Sequence, residues 1–197
     1  MKINEIFYSL QGEGFWTGRA AVFVRFSGCN LRCSFCDTAH LSGTEMTEDE
    51  ICEAVGQFPK EAMVVLTGGE PALFVTERLI ALLKARGRYI AIETNGTVAN
   101  PALNGIDWIT FSPKFGFPGG CSADDIKLQK CDELKVVYTG QDLAVYSRFS
   151  TPHRFLQPCG VDNVAQNRAN MAATVQAVLA NPSWRLSLQT HKILSIR

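Results

Sequence analysis

The 197-residue sequence has no excess charge of either sign and no long apolar run. Lys and Arg number 19 together, as do Asp and Glu, so the chain lacks the positive charge by which general binders of nucleic acids or anionic membranes are recognised. No apolar stretch approaches the roughly 18 residues of a membrane span, and residues 1–6 contain no run of signal-peptide type. We therefore expect a soluble, cytoplasmic protein with neither a nucleic-acid nor a membrane partner.

The sequence also lacks internal repeats, low-complexity segments and any linker long enough to separate two domains. A single domain over residues 1–197 is therefore expected. Hydrophobic residues make up 46% and charged residues 19%, the composition of a chain that buries a core. The cysteines number seven, and an odd count argues against a disulfide framework and for reduced thiols or metal ligands.

Apolar runs rich in Val, Ile, Leu and Phe alternate with helical segments. Strands are predicted at 20–26, 63–67, 89–93, 106–111, 133–138, 154–156 and 185–189. Thr47 and Glu50 predict a capping box at the start of one helix, Thr76 and Gly87 delimit a second, and a third covers about residues 163–180. This alternation predicts a parallel sheet with right-handed crossovers. About six βα units are too few for an eightfold barrel of roughly 250 residues, so we expect an α/β fold of the incomplete TIM-like barrel type.

Polar motifs follow five of the predicted strands. They lie at residues 67–71, 93–96, 112–114, 157–158 and 189–192. In parallel α/β folds, ligands bind at the edge of the sheet where the carboxyl ends of the strands meet. Stability alone does not explain five strands that deliver polar groups to one edge, so the pattern indicates an active site there.

Three of the cysteines, Cys29, Cys33 and Cys36, have the spacing C-x3-C-x2-C in one loop. Thiolates at this spacing suit a cubane iron–sulfur cluster whose fourth iron is open to another ligand. Buried apolar cysteines are common, but not at this spacing in a polar loop. A structural zinc site prefers four ligands in two pairs, and the sequence has no second C-x2-C pair. An electron-transfer cluster needs a fourth cysteine, which Cys121 or Cys159 could supply.

The cysteine spacing, with Phe35 before the third cysteine, resembles the C-x3-C-x-aromatic-C signature of the radical S-adenosylmethionine (SAM) superfamily. Residues 67–71, Thr-Gly-Gly-Glu-Pro, are similar to the GGE motif of the same superfamily and follow one βα unit after the cysteine loop. In that motif, glycines allow the backbone to approach the methionyl amine of SAM. The resemblance implies a partial barrel that binds a [4Fe–4S] cluster and SAM.

Further segments resemble one family within this superfamily, the 7-carboxy-7-deazaguanine synthases of the 7-deazapurine (queuosine) pathway. The likeness runs from Ile3 to the C-terminus and is most specific at residues 10–14, 29–38 and 188–192. It implies a carbon–nitrogen lyase that converts 6-carboxy-5,6,7,8-tetrahydropterin to 7-carboxy-7-deazaguanine with loss of ammonia. SAM supplies the radical, so no side chain is assigned as catalytic, and Mg²⁺ assists the rearrangement.

The family resemblance also implies roles for individual residues. Cluster and metal ligands would be Cys29, Cys33, Cys36 and, for Mg²⁺, Thr38. Contacts to SAM and its surroundings would come from Phe35, Cys36, Asp37, Gly68, Gly69, Glu70, Glu93, Asn95, Ser112, Pro113, Lys114 and Gln157. Substrate contacts would come from Leu10, Gln11, Gly12, Glu13, Arg25, Thr67, His191 and Arg197.

Two of these roles have ordinary structural alternatives. The planar fork of Arg25 suits the substrate carboxylate, but an internal salt bridge would also satisfy an arginine in an apolar strand. Thr38 could give Mg²⁺ a hydroxyl ligand, or it could cap a turn. The terminal carboxylate closes the pocket in this family, which places Arg197 near the substrate, although Arg is not the residue usual there.

Other functions also remain open at this point. A glycyl-radical activase shares the cysteine loop and the small size, although the motifs at 10–14 and 189–192 argue against it. A non-enzymatic iron–sulfur carrier or a zinc-binding module belongs to a different class. Family analogy further predicts a homodimer and an electron donor such as flavodoxin. The chain is short between Lys60 and Thr67 relative to longer relatives, so we expect helices to be missing around the barrel.

Overall fold

The computed structural model describes residues 1–36, 38 and 41–197. The strands in this part of the chain are β1 (Lys2–Leu10), β2 (Ala20–Phe26), β3 (Thr44–Glu45), β4 (Met63–Gly68), β5 (Ile90–Thr94), β6 (Trp108–Phe111), β7 (Glu133–Tyr138), β8 (His153–Pro158) and β9 (Arg185–Leu186). The α-helices are α1 (Glu48–Gly56), α2 (Glu77–Ala85), α3 (Val164–Ala180) and α4 (Thr190–Leu194). Short 3₁₀ helices cover Pro71–Leu73, Pro101–Gly105, Ala123–Asp125 and Leu143–Tyr146.

The described strands form one sheet in the order β3-β1-β2-β4-β5-β6-β7-β8-β9. From β2 to β9 all neighbours are parallel, whereas β1 is antiparallel to both β2 and β3. The sheet stays open, because β3 and β9 stand at its two edges. Six parallel strands of ordinary length and the short β9 confirm the prediction of an incomplete barrel.

Helix ends predicted from local sequence are confirmed. Thr47 and Glu50 form the capping box that begins α1, and the hydroxyl of Thr76 accepts the Leu79 N–H at the start of α2. Gly87 has φ +72°, the left-handed stop expected after that helix. These caps depend on residues three positions apart, so the sequence suffices to predict them.

The prediction for residues 185–189 is wrong beyond Leu186. Only Arg185 and Leu186 pair with β8, and the Ser187 hydroxyl instead donates to the side chain of Gln157. The motif at 189–192 therefore lies at the start of α4 and does not end a strand. Two further strands, β1 and β3, were not predicted; β1 carries polar residues on both faces and pairs with β2 as a hairpin.

The crossovers between neighbouring strands differ along the sheet. Those that lead to β4, β5 and β9 contain α1, α2 and α3, respectively. Residues 95–152, between β5 and β8, are all described, and the helices in the connections there are of the 3₁₀ type. These connections therefore lack α-helices, whereas the expectation that helices are missing because the chain is short between Lys60 and Thr67 stays a prediction.

Strand alternation gives the sheet an apolar outer face and a mixed inner face. On the outer face, residues such as Val22, Val24 and Leu66 pack beneath α1 and α2. The inner face, which carries the residues in between, bears Arg25 on β2 and Thr67 beside it on β4. Polar side chains at alternate positions on several strands are thus brought to one concave surface.

Aromatic side chains close the inner face at the amino ends of the parallel strands. The loop of residues 11–19 between β1 and β2 carries Phe15 and Trp16, whose rings lie 4.8 and 5.2 Å from that of Trp108. Phe15 also contacts His153 at 4.4 Å, and Trp16 contacts Tyr89 at 5.6 Å. Ligands therefore have access from the carboxyl ends of the strands.

Among the described helices, none combines the length and the apolarity that crossing a membrane requires.

Candidate active site

A cavity of about 490 Å³ lies on the inner face of the sheet. The predicted site residues that line it are Leu10, Gln11, Gly12, Glu13, Arg25, Cys29, Cys33, Phe35, Cys36, Thr38, Thr67, Gly68, Gly69, Glu70, Glu93, Asn95, Ser112, Lys114, Gln157, His191 and Arg197. Pro113 is buried and does not line the cavity, and Asp37 lies outside the described residues. Residues from both ends of the chain and from the carboxyl ends of β1, β2, β4, β5, β6 and β8 thus meet at one site.

All three cysteines of the C-x3-C-x2-C loop line this cavity. Backbone hydrogen bonds from Arg32 to Gly119 (2.9 Å) and from Ser34 to Pro118 (3.1 Å) hold the loop against the segment after β6. Burial raises the pKa of the Cys29 and Cys33 thiols, and iron binding would displace those protons.

The donor set suits an iron–sulfur cluster. In the described part of the chain, no three His, Cys, Asp or Glu side chains are placed to hold a single metal ion. A cubane needs no such convergence, because each thiolate binds a different iron. Of the other cysteines, Cys52 and Cys159 are buried and Cys121 and Cys131 are half-buried. None of these four is among the described residues that line the cavity.

Two glycines, Gly68 at the end of β4 and Gly69 after it, allow the loop after β4 to pack against the cysteine loop. Gly69 N–H donates to Phe26 (3.0 Å) and Glu70 N–H donates to Gly28 (2.9 Å). Gly68 has φ +121°, and a Cβ atom on Gly69 would lie 1.9 Å from the Gly28 carbonyl oxygen. Both positions therefore require glycine, and for Gly69 the reason is the approach of two backbones.

Glu70 is buried and its carboxylate accepts three hydrogen bonds from neutral donors. They come from Ala72 N–H (3.0 Å), the Thr94 hydroxyl (2.7 Å) and Asn95 N–H (2.7 Å). Burial raises its pKa, against the lowering effect of these bonds. The side chain thus joins the loops after β4 and β5, and contact of this segment with a cofactor stays a prediction.

Asn95 continues the connection to the cysteine loop. Its side-chain amide donates to the Asn30 side chain (3.1 Å) and its oxygen accepts from Thr97 N–H (2.9 Å). Asn30 in turn donates to the Thr97 hydroxyl (2.7 Å). Asn95 is therefore a structural link in addition to its predicted contact with the cofactor.

An ion-pair network around the buried Lys135 also lines the cavity. Lys135 Nζ is 2.5 Å from Glu13 Oε2 and 3.5 Å from Glu93 Oε2. Gln11 donates to Glu93 (3.0 Å) and Gln189 donates to Glu13 (2.9 Å). These five residues come from the loop after β1, from β5, from β7 and from the segment before α4.

The network sets the protonation of its members. Burial by itself raises the pKa of Glu13, but the charge and hydrogen bond of Lys135, with help from Gln189, lower it to about 2. Burial alone lowers the pKa of Lys135, and the surrounding carboxylates more than reverse that effect and raise it. Both groups are therefore charged at neutral pH.

Sequence motifs did not single out Lys135. It occupies the inner face of β7 between Glu133 and Val137, while Leu134 and Val136 face the outer core. Polar and apolar residues alternate strictly at 133–136, a pattern that is unexpected in a strand buried on both faces. This alternation could have indicated that Lys135 lies on a polar inner face.

Arg25 is paired within the protein at the carboxyl end of β2. Its Nε lies 2.9 Å from Glu5 Oε1, on the neighbouring strand β1 and in direct register. The second oxygen of Glu5 binds the Arg197 guanidinium, and the main-chain oxygen of Arg197 accepts from the Ser9 hydroxyl (2.5 Å). The salt-bridge alternative is therefore present, while Arg25 still lines the cavity.

The remaining predicted residues lie around the same cavity. Lys114 Nζ donates to the carbonyl and hydroxyl oxygens of Ser112, both at 2.6 Å, and burial lowers its pKa. Thr190 donates twice to the Gly12 carbonyl oxygen, at 3.0 and 2.9 Å. A Cβ atom on Gly12 would lie 2.2 Å from His191 Nδ1, so the first helical turn of α4 packs directly on the loop after β1.

Comparison with known proteins identifies relatives over the whole chain. Residues 23–117 match the family model of the radical SAM superfamily. A 7-carboxy-7-deazaguanine synthase of Bacteroides thetaiotaomicron is 53% identical over 196 residues, which cover 100% of this chain and 98% of the relative. A protein of the same name from Bordetella pertussis is 39% identical, with 98% of each chain covered.

Solved structures agree with these relatives. The crystal structure of QueE from Escherichia coli is 25% identical with a TM-score of 0.74, and 95% of this chain and 92% of that chain are covered. Streptococcus suis SuiB bound to S-adenosylmethionine is 15% identical with a TM-score of 0.58, over 84% of this chain and 51% of SuiB. The second match shows a shared fold alone.

Proposed function

The chain belongs to the 7-carboxy-7-deazaguanine synthase family of radical SAM enzymes, and we propose that its cavity converts 6-carboxy-5,6,7,8-tetrahydropterin to 7-carboxy-7-deazaguanine with loss of ammonia. Membership implies a [4Fe–4S] cluster and SAM as cofactors. The observation that supports the assignment is that the three cysteines, Arg25 and the Glu13–Lys135–Glu93 network line one cavity.

The cofactors would occupy the side of the cavity that the cysteine loop and the loop after β4 form. Cys29, Cys33 and Cys36 would hold the cluster, and the backbone around Gly69 would hold the methionyl end of SAM. Ser112, Pro113, Lys114 and Gln157 would complete that pocket. When bound, the cofactors supply the radical that abstracts a substrate hydrogen, and the protein contributes positioning and charge.

The substrate would lie against the charged wall opposite. Arg25 would bind the substrate carboxylate in addition to or in place of Glu5, its partner within the chain, because an arginine fork binds either carboxylate in the same geometry. Glu13, Glu93 and Gln11 would face the N–H groups of the pterin ring. Leu10, Gly12, Thr67, His191 and Arg197 would complete the pocket.

Three further features belong to the same proposal. Thr38 lines the cavity beside Cys36 and would give Mg²⁺ a hydroxyl ligand, a role in which the ion keeps several waters. The enzyme would act as a homodimer, each chain one radical SAM domain over residues 1–197. An electron donor such as flavodoxin would reduce the cluster.

Anaerobic turnover tests the proposal as a whole. Protein reconstituted with iron and sulfide, then given SAM, reductant, Mg²⁺ and the carboxytetrahydropterin, should form the deazaguanine. The Cys33→Ala variant should form none, because one iron loses its thiolate. An intact cluster that cleaves SAM without forming product would contradict the substrate assignment. An EPR spectrum that does not change when SAM is added would instead indicate an electron carrier.

A further inference from the structure

We propose that Lys135 is a positioning residue of this site: its ammonium group holds Glu13 and Glu93 as two ionised carboxylates on the wall that receives the pyrimidine ring of the substrate. The inference rests on the proposed function. It assigns a role to a residue that lies outside the cysteine loop, the GGE motif and the strand-end motifs.

Lys135 connects three parts of the chain that are distant in sequence. It projects from the middle of β7, whereas Glu93 lies on β5 and Glu13 in the loop after β1. Its side chain is 4% exposed, and those of Glu13 and Glu93 are 15% and 23% exposed, so water screens these charges only in part. Without a cation between them, the two carboxylates would repel each other, and this repulsion favours the protonated form of a carboxylate as the pH falls.

Ionisation decides which groups this wall recognises. A pterin and a deazaguanine share a 2-amino-4-oxopyrimidine ring that presents neighbouring N–H donors. An ionised carboxylate only accepts hydrogen bonds, whereas a protonated one also donates. Glu13 and Glu93 each receive two described contacts, from Lys135 and from a glutamine. A carboxylate offers about four acceptor positions, so both retain capacity for a ligand.

Other charged groups near the network do not replace Lys135. Glu133, two residues earlier on β7, accepts from Phe15 N–H (3.1 Å) and has its pKa raised by burial. Lys114, after β6, donates to Ser112, and the influence of His191 on Glu13 is smaller than that of Lys135. Lys135 is the cation that contacts both carboxylates among the described residues.

The test compares Lys135→Met and Lys135→Arg with the wild-type holoenzyme between pH 6 and 8. Equilibrium binding of 7-carboxy-7-deazaguanine and the KM for the pterin are measured together. In Lys135→Met, we expect binding about 30-fold weaker at pH 8 and weaker still at pH 6, because loss of a buried ion-pair partner costs on the order of 2 kcal/mol or more. Lys135→Arg should restore most of the affinity and the flat pH profile of the wild type.

Lys84→Met is the matched control. Lys84, at the end of α2, forms an ion pair with Asp107 and does not line the cavity, so its loss should change neither the affinity nor its pH profile.

Wild-type affinity and a flat pH profile in Lys135→Met would overturn the inference while leaving the proposed function intact. If Lys135→Met does not fold, the charge-balanced Lys135→Gln/Glu13→Gln variant replaces it, and wild-type affinity there would overturn the inference equally. Absence of product from the wild type would contradict the proposed function instead.

Discussion

The two walls of the cavity are built from different interactions. The cysteine wall, formed by residues 28–36, 68–70 and 95, is held by glycine backbone contacts and neutral hydrogen bonds. The charged wall, formed by Gln11, Glu13, Arg25, Glu93 and Lys135, is held by ion pairs.

Two glutamates illustrate the consequence. The carboxylate of Glu70 meets only neutral donors, and burial raises its pKa, whereas Lys135 lowers the pKa of Glu13 to about 2. A wall that receives charged cofactors needs space and close backbone approach, since the cofactors bring their own chemistry. A wall that selects a substrate must supply the complementary charge itself.

The largest expected effect comes from breaking the cysteine wall with Gly69→Ala. The new Cβ would lie 1.9 Å from the Gly28 carbonyl oxygen, and backbone on both sides cannot yield as a flexible side chain would. We expect the cysteine loop to shift, iron content after reconstitution to fall from about four to below about one per chain, and turnover to disappear.

Iron and sulfide analysis measures this effect, with Gly56→Ala as the control. Gly56 ends α1, and a Cβ atom there meets no atom within 4 Å. The control should bind a full cluster. A full cluster in Gly69→Ala would show that the glycine contact does not position the cysteines.

The charged wall should respond to pH, which Glu13→Gln tests. The pKa of Glu13 is about 2 in the folded protein, compared with 4.5 for an unperturbed glutamate. Its ionisation therefore adds about 3 kcal/mol to the free energy of unfolding above pH 4.5. That contribution is lost as the pH falls from 4.5 towards 2. Urea unfolding of iron-free protein should show a stability difference between wild type and variant that shrinks by more than half from pH 7 to pH 3. An equal difference at both pH values would mean that Lys135 does not shift Glu13.

A smaller effect is expected at the edge of the charged wall, from Arg25→Ala. The KM for the pterin should rise about 30-fold, on the order of 2 kcal/mol, because a bidentate contact with the carboxylate is lost. SAM cleavage without substrate should change less than about twofold. Arg78→Ala, which removes an exposed arginine paired with Glu48 and Asp49, should change neither quantity. Equal losses of turnover and SAM cleavage in Arg25→Ala would mean that Arg25 is structural.

The features of the fold predicted correctly are those in which neighbouring residues determine the geometry. The capping box of Thr47 and Glu50 and the stop at Gly87 need only local bonds. The strand at 185–189 was predicted from its apolar residues, yet pairing with β8 ends at Leu186, and the Ser187 hydroxyl bonds to Gln157 and Gly14. Those partners lie 30 and 173 residues away, and no local pattern reports them.

The sequence by itself determined the cysteine spacing, the glycines, the helix caps and, through resemblance, the family. Spacing and backbone freedom depend only on residues a few positions apart, so the sequence alone is enough to predict them. Only the tertiary structure decided that Lys135 stands between Glu13 and Glu93. Glu13 lies 122 residues before Lys135, and the strength of their interaction depends on burial and separation, which exist only once the sheet has formed.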